Sequence, residues 1–134
     1  MSKLTMIEGI GETLEGKLKE QGISSVEKLL EGCKTKSKRT KLAEATGISE
    51  KLILKFANHA DLFRIKGIGG EYAELLEAAG VDTVPELARR KGENLLQKML
   101  EVNEVKKLVR RPPTQVQVEE WIQQAAGLER ALEY

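Results

Sequence analysis

The sequence predicts an all-α fold, and three observations carry that reading. Aromatic residues make up 4% of a chain that is 40% hydrophobic. The core must therefore come from Leu, Ile, Val, Ala and Met, a set that suits helices better than a sheet rich in aromatic and β-branched residues. No run of β-branched residues alternates with polar ones, and no Asn-Gly or Asp-Gly hairpin signal occurs. Finally, Ile7-Glu8-Gly9-Ile10-Gly11 returns as Ile65-Lys66-Gly67-Ile68-Gly69, an offset of 58, and apolar residues at helical spacing follow each copy. The 134 residues read as one domain built of two related halves.

The elements follow in order. After Gly11, Leu14 and Leu18 sit at i,i+4 spacing and Gly22 supplies a stop; Tyr72, Leu75, Leu76 and Ala79 repeat the stripe before Gly80. The match continues through Ile23 with Val81, Val26 with Val84 and Leu29 with Leu87. The next helix opens at Ser24, with Glu27 at capping-box distance, and its partner opens at Thr83 with Pro85 in the first turn and Glu86 closing the box. A basic stretch leads to a helix ending at Gly47. Ser49 then caps the longest amphipathic segment of the half, bearing Leu52, Ile53, Phe56, Ala57, Ala60 and Phe63. In the second half a helix across Leu95 to Leu108 leads to Arg110-Arg111-Pro112-Pro113, and Thr114 with Gln117 opens a helix bearing Val118, Trp121, Ile122 and Ala125. Ser49, Ile53, Phe56 and Ala60 match Thr114, Val118, Trp121 and Ala125 at an offset of 65.

Several functions are excluded or disfavoured. No apolar run approaches the length of a membrane span, and the N-terminal residues show no secretory h-region. One cysteine, Cys33, rules out an internal disulfide and a Cys-based zinc cluster, and a reducing, cytoplasmic setting is the expectation. No cofactor and no small-molecule substrate is expected. The glycine pairs lack a preceding strand and a third glycine, so they are not dinucleotide fingerprints, and no P-loop exists. The single histidine, His59, is expected at the surface or half-buried beside Asn58 and Asp61. Lysines around Cys33 could lower its pKa, but no histidine motif accompanies it. The chain does not read as an enzyme.

Phe63-Arg64-Ile65-Lys66-Gly67-Ile68-Gly69, followed by Tyr72-Ala73-Glu74-Leu75-Leu76 and Ala79-Gly80-Val81, resembles a helix-hairpin-helix motif. Ile7 to Ile23 resembles a second. With Thr46-Gly47-Ile48-Ser49 leading through Ala60-Asp61-Leu62 into the second glycine pair, nearly the whole chain is similar to a mostly bacterial family of about this length and of unknown function, the small tandem helix-hairpin-helix proteins. The resemblance implies two repeats, residues 1–64 and 65–134, packed with pseudo-two-fold symmetry as a SAM-domain-like helical bundle. It also implies phosphate contact at the glycine turns.

The residues support that expectation unevenly. Two glycines permit a tight turn with positive φ, and the isoleucine between them points inward and pins the turn to the core. Gly11 and Gly69 are expected to be the strained positions. The helix that follows offers free N–H groups and its dipole to a phosphate. Candidate nucleic-acid contacts are Lys66, Gly67, Ile68, Gly69 and Gly70 in the second copy and Gly9 and Gly11 in the first. Glu8, Glu12 and Glu71 flank the turns with the wrong sign. Lys34, Lys36, Lys38, Arg39 and Lys41 lie within eight residues free of acid, Arg89-Arg90-Lys91 holds the corresponding place in copy two, and Lys106, Lys107, Arg110 and Arg111 form a third cluster. Such clusters are the footprint of backbone binding, or else solvated helix ends whose cations complement the dipole. The leading expectation is sequence-independent binding of nucleic acid, duplex DNA above RNA. The rival is a protein–protein module on the same scaffold.

Overall fold

The computed structural model describes residues 2–134. A 3-10 turn at Leu4–Met6 is followed by α1 (Glu12–Glu20), α2 (Val26–Gly32), α3 (Lys36–Thr46), α4 (Glu50–Leu62), α5 (Gly70–Ala78), α6 (Val84–Ala88), α7 (Gly92–Lys106) and α8 (Gln115–Gly127). No strand occurs among the described residues, so the chain is all-α as the composition and pattern predict. It forms two compact units. One runs to Asp61 and includes Arg130–Tyr134; the other is Leu62–Glu129.

Helix bounds keep the two sequence offsets. α1 and α5 begin and end at positions 58 apart, and α4 and α8 at positions 65 apart. The first pair is capped by Gly11 and Gly69, both extended (φ −95° and −106°), and neither offers a side chain to the free amides. Ser49 accepts from the Leu52 N–H at 3.2 Å, and Thr114 with Gln117 closes a reciprocal capping box. In the first unit Ile7, Leu18, Leu29, Ile53 and Ala57 are fully buried; in the second Leu75, Leu76, Val81, Leu87 and Val118 are. Within the second unit α6 and α7 pack on α8, and α5 packs on α7.

Several local expectations are corrected. Positive φ falls on Gly9 and Gly67, both at +96°, and not on Gly11 and Gly69, where a Cβ would meet nothing within 4 Å. The chain turns at the first glycine of each pair, and the second only begins the helix. A Cβ on Gly9 would come within 3.2 Å of the Phe56 ring, and one on Gly67 within 2.9 Å of Trp121 Nε1. Phe56 and Trp121 correspond at the offset of 65, so each turn lies on the aromatic residue of its own unit's last long helix.

The cap of α2 is Ser25, which accepts from Lys28 N–H at 3.2 Å, and not Ser24. Glu27 does not close a box. It accepts from Ser2 N–H at 2.9 Å, and that bond holds its carboxyl below the usual range. Thr83 does cap α6, but Glu86 turns to Arg90 instead of back to the cap.

Candidate nucleic-acid interface

The second glycine turn is held from below and from the side. Gln124 on α8 clamps the main chain of Lys66: its Oε1 accepts from Lys66 N–H at 2.9 Å, and its Nε2 donates to Lys66 C=O at 3.2 Å. Gly67 then crosses Trp121, and Ile68 enters the core at 5% exposure. With the Lys66 main chain fixed on both its polar groups, the exposed Lys66 side chain leaves from a defined point. The first helical bond of α5 runs from Ala73 N–H to Gly69 C=O. The amides before it, on Gly70, Glu71 and Tyr72, have no intrahelical acceptor, as at any helix start, and no cap side chain takes them.

A basic loop is brought to this turn. Tyr72 lies in the first turn of α5, and its hydroxyl donates to Arg111 C=O at 2.8 Å. Its ring meets Trp121 with centroids 5.1 Å apart at 54°. The other end of the loop is fixed by Asn103, whose side chain accepts from Val109 N–H at 3.0 Å and donates to Val109 C=O at 3.1 Å. That clamp follows Lys107, a non-glycine residue in the left-handed region (φ 49°). Arg110 and Arg111, both exposed, therefore leave a loop anchored beside the start of α5. Tyr72 and Trp121 thus link the Arg111 main chain to the Gly67–Gly70 turn within the second unit. Glu71 is exposed at the same place and opposes an anion there.

The remaining clusters divide by burial. Arg39 is 5% exposed, and its guanidinium Nη1 donates to Cys33 C=O at 2.9 Å and Lys34 C=O at 3.5 Å. This corrects its place in a surface patch: the side chain is folded over the main chain that joins α2 to α3. Lys36 and Lys38 are exposed in the first turn of α3, where cations oppose the helix dipole, so they do not form a helix end whose cations complement it. Arg90 is engaged by Glu86 at 3.1 Å and by Gly80 C=O at 3.1 Å, while Lys106 sits in the last turn of α7, where the dipole favours it. Gly9 and Gly11 form the equivalent turn in the first unit, with exposed Glu8 and Glu12 beside it.

Cys33 and His59 depart from expectation. Both are fully buried. Burial pushes the Cys33 thiol up to about 12, with the Arg39 guanidinium pulling weakly the other way, so the neighbouring lysines do not activate it. Among the described residues no group of three His, Cys, Asp or Glu side chains could hold a metal ion, and no helix is long and apolar enough to cross a membrane. Sequence reasoning passed over Gln124, Asn103 and Tyr72 as positioning residues. Gln124 and Tyr72 bond main-chain atoms 58 and 39 positions away, and Asn103 bonds a loop residue six positions on, a spacing that no helix or cap pattern marks.

The fold and this end of the second unit describe a small all-α module whose glycine turns start uncapped helices. The chain belongs to the family described as a domain of unknown function, DUF4332, whose model matches residues 8–128. That agrees with the resemblance to a family of this length and of unknown function. No curated protein and no solved structure matches the chain.

Proposed function

We propose that the protein binds the backbone of duplex DNA, without reading sequence, through the second unit. The Gly67–Gly70 turn and the start of α5 supply backbone amides to one phosphate, and Lys66, Arg110 and Arg111 supply charge to it and its neighbours. The observation that carries this reading is the anchoring of the Arg110-Arg111 loop to the first turn of α5 by the Tyr72 hydroxyl. The main chain that carries these cations, forty or more positions from the turn in sequence, is thereby tied to the helix turn with the uncapped amides. Glycine at 67 and 69 leaves no side chain between the main chain and an approaching phosphate. Helix-hairpin-helix modules contact phosphates in this manner, and the resemblance of Ile65 to Val81 to that motif supports the same reading. Glu71 and a net charge of +1 keep the affinity in the range of non-specific binding, about 10⁻⁴ to 10⁻⁶ M at physiological salt.

The test is fluorescence anisotropy on duplexes of unrelated sequence. Lys66→Glu, Arg110→Glu and Arg111→Glu together are expected to weaken every duplex alike, by about tenfold or more, with an unchanged thermal melt. Loss on one sequence only, or no loss at all, contradicts the proposal.

A further inference from the structure

We infer that a cavity of about 440 Å³ in the first unit is a separate site for a phosphomonoester carrying an organic body, of the class of a nucleoside monophosphate. Lys36, Arg39, Glu50, Lys51, Leu54 and Tyr134 line it. Its volume lies within the range of about 300–1,000 Å³ usual for small-ligand sites.

Arg39 is the decisive residue. A guanidinium stays charged under all ordinary conditions, and burying it without an anion is costly. This one is only 5% exposed, yet no carboxylate among the described residues pairs with it. Two main-chain carbonyls occupy Nη1, and the Tyr134 ring, 6.0 Å from the guanidinium carbon, takes a further share of the charge. Among the described residues neither Nε nor Nη2 has a hydrogen-bond acceptor. They remain as donors where the guanidinium lines the cavity, in the fork geometry that suits a phosphate.

The other walls refine the ligand. Lys36 and Lys51 are exposed and add two cations, which suits a doubly charged monoester over a singly charged diester. Lys36 stands in the first turn of α3 against the helix dipole, a placement that an anion in the cavity would relieve. Leu54 and the Tyr134 ring give the cavity an apolar side, and the Tyr134 hydroxyl, bonded to Asn58 Oδ1 at 3.1 Å, fixes that ring. Glu50 accepts from the Thr40 hydroxyl and keeps acceptor capacity for sugar hydroxyls. Inorganic phosphate would use only the cationic part of the site.

Such a group can arrive as a free mononucleotide or as the 5′-phosphorylated end of a strand. Amide chemical shifts of the full chain are followed during titration with adenosine monophosphate, adenosine, inorganic phosphate, and a short single strand with or without a 5′-phosphate. Adenosine monophosphate is expected to shift Lys36, Lys51, Leu54 and Tyr134 saturably, at least about tenfold more tightly than adenosine or inorganic phosphate. Preference for the phosphorylated strand over adenosine monophosphate assigns the strand end as source; the reverse assigns the free nucleotide.

Replacing Arg39 risks unfolding the α2–α3 junction, so the exposed lysines carry the mutational test. Lys36→Glu with Lys51→Glu is expected to cost about tenfold or more in affinity without lowering the thermal melt or changing duplex binding by the second unit. Absence of saturable binding at low salt, adenosine binding as tightly as its monophosphate, or unchanged affinity in the double variant would overturn the site.

Discussion

Gly67 and Gly69 look interchangeable in the sequence and are opposite in the structure. Gly67 turns at φ +96° over Trp121, whereas Gly69 is extended with open space where a Cβ would stand. Gly67→Ala and Gly9→Ala should each cost about 1–3 kcal/mol in urea denaturation, from the left-handed backbone and the crowded ring. Gly69→Ala should stay within about 0.5 kcal/mol of the parent. Equal losses at 67 and 69 would contradict the assignment. The sequence marks the glycine pair but not which member turns, because the ring that decides it lies on a helix far along the chain. Cys33 makes a second residue-level case. Its thiol is raised from 9.0 to about 12, so the buried neutral thiol favours the fold below about pH 9, and that contribution fades as pH climbs toward 12. Stability should therefore fall between those values, less so in Cys33→Ala, and thiol labelling of the native protein at neutral pH should be far slower than in denaturant.

Helix starts show how element-level signals succeed or fail. Thr83, Thr114 and Ser49 cap the helices they were expected to cap, because a hydroxyl three residues ahead of its amide is a local relation. Ser24 and Ser25 stand side by side, and only packing selects Ser25, a residue 2% exposed. Arg39 is a similar case: a basic run does not reveal which member of it the fold turns inward. α1 and α5 lack a capping side chain, and that lack can be used. Gly69→Asp should stabilise α5 by a few tenths of a kcal/mol while its carboxylate takes the amides a phosphate would need. A thermal melt that rises slightly together with a clear loss of duplex affinity is the expected pair of results. Retained affinity would remove the start of α5 from the interface. Tyr72→Phe leaves the ring stack with Trp121 and frees the Arg111 loop, so affinity should fall severalfold with little loss of stability.

At the scale of the whole chain, the all-α class, the repeat offsets and most of the buried apolar set were legible because helical periodicity and glycine stops are local and occur twice. The site was legible only as separate pieces: a glycine turn here and three basic clusters elsewhere. Burial and main-chain clamps removed Arg39 from the surface, engaged Arg90, and held Arg110-Arg111 beside the second turn. The Arg90 pair with Glu86 follows the i,i+4 spacing of a helix. The turn of Arg39 onto the Cys33 carbonyl and the Tyr72 bond to Arg111, 39 positions apart, join atoms that sequence spacing does not relate. The proposed duplex binding rests on that last juxtaposition and is electrostatic, so it must depend on salt. The most direct measurement is a titration of the protein against a random-sequence duplex across a series of salt concentrations. Contact with roughly 4–6 phosphates predicts a log–log slope of about −4 to −5, the same for unrelated sequences and shallower in the Lys66→Glu, Arg110→Glu, Arg111→Glu variant. No detectable binding at the lowest salt, or a slope that the triple substitution leaves unchanged, would contradict it.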